Sequence, residues 1–188
     1  MPITGYSTDL PADVLLDSGV LYVGAAIVGV SRGGLSFDPG KQYRNIDFDG
    51  KRSPIKLLDR ITGYDAKISG NMLEFGTEEL PQFEPGSVND AASPVATITP
   101  KVAGTLLVAG DYLTNVRLVF ERGGSTGAAP LYAAVLFPCA LVTQYSVKGA
   151  DNNEAEIAIT IEARLDVTAP AVCSTAPYKI ELRSTLPT

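Results

Sequence analysis

Histidine is absent from the chain, and so is tryptophan. Without histidine there is no Ser-His-Asp triad, no Cys-His dyad, no His-ligated zinc or haem and no histidine pH switch. Cysteine occurs twice, at Cys139 and Cys173, too few for a cysteine zinc site or a disulfide framework. With no imidazole to activate it, neither thiol is a ready nucleophile.

Long apolar runs are missing too. The longest, 131-LYAAVLFPCALV-142, falls short of the ~20 residues of a membrane span and is interrupted by Pro138. The first residues, MPITGYSTDLPADVLLDSG, have no basic n-region and no apolar stretch, so no signal peptide is expected. The expectation is a soluble protein made in a reducing cytosol, without membrane insertion, whose cysteines are core thiols. Positive charge is in short supply: Lys+Arg number 15 against 21 Asp+Glu, a formal net charge of −6. Such a chain repels a phosphate backbone. It is unsuited to gripping nucleic acid but suited to letting it pass.

What is present is a globular composition. The 188 residues are 45% hydrophobic, and 18 glycines and 13 prolines favour many short elements. One domain over 1–188 is expected. Residues 1–18 read as an N-terminal arm. The stretch 20-VLYVGAAIVGV-30 reads as a strand, with Gly24 and Gly29 at bulges or close approaches. Residues 31–54 read as a projecting hairpin, with Gly33-Gly34 and Pro39-Gly40 as turn signals and Asp49-Gly50 closing the strand 43-YRNIDF-48. Residues 55–75 hold one or two further strands. Residues 77–83 predict one short helix, N-capped by Thr77 with Glu78 and Glu79 in its first turn.

The second half alternates with period 2. Val116, Leu118 and Phe120 share one face; so do Leu141, Thr143, Tyr145 and Val147; so do Ile157, Ile159 and Ile161; so do Tyr178, Ile180 and Leu182. Each pattern predicts a strand with one buried face. The fold class is therefore mainly β. Two packed antiparallel sheets, a sandwich or barrel, are flanked by the one short α-helix.

Apparent catalytic motifs fail on context. Ser53-x-x-Lys56 matches an acyl-serine pattern but follows an Asp-Gly turn and lacks the partner motifs. Residues 45–50 imitate the start of an EF-hand, but position twelve is Lys56, a cation where the bidentate acid belongs. The glycines near Arg32 fit no phosphate loop. No carboxylate pair is singled out. No cofactor, metal or enzymatic activity is expected.

Taken in order, the small-residue strand, 46-IDFDGKR-52, 63-GYDAKISGNMLEF-75 and 137-FPCALVTQYSVKGADNNEAEIAITIEARLD-166 resemble the major tail tube protein of long-tailed bacteriophages. The resemblance implies two packed sheets, rings of probably six copies, and stacking of rings into a hollow tube through which the genome is ejected. It implies self-association as the main partnership, with tail-tip, tape-measure and terminator proteins as further partners and DNA as a passing cargo. It places the protein in the virion tail, assembled in the host cytoplasm. Rival readings are a head–tail joining or capsid-decorating protein, the inner tube of a contractile injection system, and a ligand-binding β-sandwich.

Three surfaces are expected in this setting. Ring stacking falls to the arm, with Tyr6 and Leu10, and to the hairpin, with Phe37, Lys41, Arg44, Asp47, Asp49, Lys51 and Arg52. The lumen is lined by the acids Glu156, Glu162 and Asp166. The stretch 68–100 contains no lysine or arginine, and its Glu74, Glu78, Glu79 and Glu84 form a patch for a neighbouring copy.

Overall fold

The computed structural model describes residues 15–29, 31–46, 49, 53, 56–73, 83–90, 97–122, 132–150, 153–165, 176–183 and 185–186. Among the described residues twelve strands follow in chain order: β1 Leu15–Val23, β2 Ala26–Ile27, β3 Ser31–Asp38, β4 Lys41–Asn45, β5 Asp59–Tyr64, β6 Lys67–Met72, β7 Val88–Asp90, β8 Thr97–Thr99, β9 Leu113–Arg122, β10 Tyr132–Ala150, β11 Asn153–Ala163 and β12 Lys179–Arg183. A 3-10 turn at Ala109–Asp111 precedes β9. The predicted helix over 77–83 lies outside the described residues except for its last residue, Phe83, which is helical and buried.

The body is one antiparallel sheet of eight strands, in the order β2-β1-β9-β10-β11-β6-β3, with β12 also paired to β10. The sheet curls until β1 packs against β3. Inside the curl sit Leu21, Leu35, Ile68, Met72, Val116, Leu118, Phe137, Ile159 and Ile161, all buried. These residues mostly alternate along their strands, which is why one face of each strand is apolar and the other is not. On the opposite face of β1, β9 and β10, Tyr22, Val119 and Ala134 form a second, smaller buried cluster.

Strand β10 organises the sheet. It runs for 19 residues, well beyond the usual strand of about 3–10. Its first part pairs with β9 on one edge and with β12 on the other; from Ala140 onward β11 takes over from β12. Pro138 falls at that changeover, where the second edge has no paired neighbour and a missing N–H interrupts least.

Three details depart from the sequence reading. Gly33 and Gly34 do not turn the chain. Both have positive φ, 73° and 86°, and they form a bulge inside β3, where the register with β6 shifts between Arg32 and Leu35. The expected strand 20–30 breaks at Gly24-Ala25 into β1 and β2, whose turn is held by the Arg117 guanidinium donating to the Gly24 carbonyl at 3.1 Å. The regular alternation over 141–147 is interrupted by a register shift between Val142 and Gln144. Val142 thereby joins the core, while Leu141 lies opposite Glu162 on the outer face.

Candidate functional site

Strands β3 and β6 continue directly into β4 and β5. Asp38 pairs with Lys67, and three residues later Lys41 pairs with Tyr64, so 31–72 is one long hairpin. Only its first half belongs to the body sheet. Beyond Asp38 the hairpin leaves as a separate two-stranded ribbon. The departure is set by Gly40. Its φ is +51°, and a Cβ there would collide with the Asp65 carbonyl. The Gly40 N–H donates to the Asp38 carboxylate, and the Asp65 N–H donates to the Gly40 carbonyl, both at 2.9 Å. The junction is thus a built bend that no other residue fits without strain.

Aromatic rings tie the ribbon base to the core. Tyr64 meets Tyr178 edge-on at 5.9 Å, Tyr178 meets Phe37 at 5.1 Å, and Phe37 meets Phe137 at 6.0 Å. Tyr178 also holds the Lys41 ammonium above its ordinary pKa, chiefly through their hydrogen bond.

The ribbon itself is exposed on both faces. Tyr43 and Ile61 lie opposite each other and are 63% and 48% exposed. Asn45 donates to the Asp59 carboxylate at 2.7 Å on the same side. On the other face Arg44 lies directly opposite Arg60. An isolated two-stranded ribbon is marginal in water. This one keeps apolar side chains and two facing cations in solvent, the arrangement of a surface that meets another molecule.

The second feature is the outer face of β10, β11, β6 and β3. Its middle is small and neutral: Ser36 donates to the Ser69 carbonyl at 3.1 Å, and Thr160 and Gln144 continue the row. Charges sit at its two ends, where each glutamate lies beside two cations. Glu156 meets the Arg32 guanidinium at 3.2 Å, accepts from Asn71 at 3.3 Å and lies opposite Lys148. Glu162 meets Lys67 at 3.3 Å and Arg164 at 2.8 Å. Partial burial pushes the Glu162 pKa up, but the hydrogen bonds from Arg164 and Lys67 outweigh it and hold the carboxyl below its ordinary range. Hydrogen bonds to Asp65 and then Glu162 hold Lys67 above its own.

The expected site residues are therefore distributed as follows. Lys41 and Arg44 are on the ribbon, and Asp49 is exposed in the loop beyond it. Phe37 is half-buried in the aromatic chain at the ribbon base. Glu156 and Glu162 share the outer sheet face, each with a cation. Glu84 is half-buried beside a cleft of about 270 Å³ lined by Gly86, Gly110 and Tyr112. Tyr6, Leu10, Asp47, Lys51, Arg52, Glu74, Glu78, Glu79 and Asp166 lie outside the described residues. Arg60 is not among the expected stacking residues, because strand register, not chain proximity, brings it to Arg44. Among the described residues no group of three metal-ligating side chains assembles, and no helix is long and apolar enough to cross a membrane. No family model and no curated protein matches the chain.

Proposed function

We propose that this chain is a self-assembling structural subunit of the phage tail-tube kind, forming rings that stack into a hollow tube for genome passage. The observation that carries the reading is the ribbon 41–64: a rigidly bent projection with both faces in solvent, which stacking copies would cover. Other features support it. Among the described residues, the outer edge of β3 and most of that of β1 lack a hydrogen-bonded strand neighbour, and such edges are normally covered or used. A heterologous contact that repeats head to tail builds a filament. In this reading the small, polar face of β10, β11, β6 and β3 lines the passage. Glu156 and Glu162 engage Arg32, Lys67 and Arg164 in ion pairs, which weakens the hold of those cations on a phosphate, and the net charge of −6 disfavours tight binding of DNA. Tail-tip, tape-measure and terminator proteins are the further partners, and the virion tail, assembled in the host cytoplasm, is the location.

Negative-stain electron microscopy of the purified, concentrated protein tests this. Hollow tubes of constant diameter are the expected result. Isolated rings that never stack would transfer the reading to a head–tail joining or decorating protein. A deep-pocketed monomer that binds a small ligand would end it.

A further inference from the structure

Several cations of the described body surface have a carboxylate of their own, while exposed Lys148 and Lys179 form no ion pair with a described residue. Arg32, Lys67, Lys101, Arg164 and Arg183 each lie within 3.4 Å of an acid. Arg44 and Arg60 do not: both are exposed, they face each other across the ribbon, and no described residue forms an ion pair with either. Direct cross-strand pairing puts their Cβ atoms about 5 Å apart, and like charges so placed repel. Two guanidinium planes at that spacing are also suited to hold one carboxylate between them.

We propose that Arg44 and Arg60 form a clamp for the Glu84 carboxylate of a second copy of this chain, a contact that makes assembly sensitive to salt. The inference rests on the self-assembly reading above and names the residues of one contact within it. Charge complementarity selects the occupant. Residues 41–60 carry six basic side chains against three acids, whereas 68–100 carry five acids and no base, in a chain of net charge −6. Of those five acids, Glu84 lines a cleft, beside Pro85 and Tyr112. It is half-buried there and forms no ion pair with any described residue. Contact between ribbon and cleft is heterologous, so each copy keeps a free clamp and a free acid for the next. A single exposed pair is weak, but repetition around a ring multiplies it.

The test is complementation. One variant carries Arg44→Glu and Arg60→Glu; the other carries Glu84→Arg. Each is followed by sedimentation velocity and light scattering, with monomer melting as the check on folding. The critical concentration of the unaltered protein should rise at least about tenfold between about 50 mM and 500 mM NaCl, as screening shortens the reach of the pair. Each variant alone should lose assembly at low salt. Their equimolar mixture should recover it, because every clamp then meets an opposite charge. The milder R44Q/R60Q variant should weaken assembly without lowering the monomer melting temperature, since it removes a repulsion. A charge-reversed variant that assembles like the parent overturns the clamp, and so does a mixture no better than its parts. Tubes that form regardless of these changes leave the tube reading standing without the clamp. Restored association into something other than tubes leaves the clamp standing without the tube. A parent protein that never self-associates overturns both.

Discussion

The two halves of the hairpin 31–72 have the same secondary structure and opposite fates. In β3 and β6 three side chains are buried: Leu35, Ile68 and Met72 face the curl of the sheet. Immediately beyond, in β4 and β5, only Asn45, Gly63 and Tyr64 are even half-buried. Within each half the two strands pair in the same antiparallel way, and β6 alone has a second bonded neighbour, β11. What differs is what the side chains meet: the body half closes a core, and the ribbon half has only solvent. The lesson is that pairing does not by itself make a strand part of a body, because burial on a third element supplies most of the stabilisation.

The sharpest way to break this comparison is to cut the same residue type in each half. Ile68→Ala empties a fully buried site and should cost about 2–5 kcal/mol. Ile61→Ala, nearly half exposed, should change monomer stability by about 0.5 kcal/mol or less. Urea unfolding of the dilute monomer measures both. Equal costs would mean that the ribbon is buried in the free chain, and its role as an open surface would fall. Assembly should respond in the other sense, with Ile61→Ala weakening it while the monomer stays intact.

The bend between the halves is the next target. Gly40→Ala places a side chain at φ +51° and drives its Cβ into the Asp65 carbonyl. A non-glycine residue in such a conformation costs about 1–3 kcal/mol, and here the clash adds to it. The junction must shift, so the hydrogen bond from Asp65 to Gly40 should be lost. Hydrogen exchange should then accelerate over 41–64 while β9, β10 and β11 stay protected. Uniform acceleration through the whole sheet would show instead that the ribbon and the body unfold as one unit.

Much of the body was legible because burial leaves a period of two in the sequence. Val116 and Leu118 on β9, and Ile159 and Ile161 on β11, point inward as their alternation requires. The pattern misled wherever a bulge changed the parity. Leu141 and Tyr145 share a face in the sequence, yet the extra residue near Thr143 sends Leu141 outward and draws Val142 in. It also misled on β12, where Ile180 and Leu182 alternate correctly but remain 65% and 61% exposed, since one face of a strand is buried only if something lies over it. The candidate site was half legible. Glycine, proline and mixed charge marked the region of the hairpin as unusual. Its true partner strands were not marked, because register joins Arg44 to Arg60 across a long loop and Lys67 to Glu162 across half of the chain.

Acid should separate the regions more gently than any substitution. Asp111 closes the loop before β9: Lys101 donates to it at 2.8 Å and the Val108 N–H at 2.6 Å. The Lys101 bond first, and the Val108 N–H second, hold its carboxyl below the ordinary range. Glu162, on the outer face, is also held low. A carboxyl with a lowered folded-state pKa contributes stability that is present above its unfolded value, about 4, and is lost as pH falls through the folded value. The body should therefore lose stability below about pH 4. Asp111→Asn should flatten that acid limb, because the group that titrates is gone. Lys67 obeys the opposite sign. Its raised pKa contributes stability that is complete below its unfolded value, about 10.4, and disappears as pH rises past the folded value. Between these limits no histidine titrates, so the body should keep nearly constant stability from about pH 5 to 9. Thermal melts across that range measure the plateau, and a marked slope near neutrality would show that a group outside these ion pairs controls the fold.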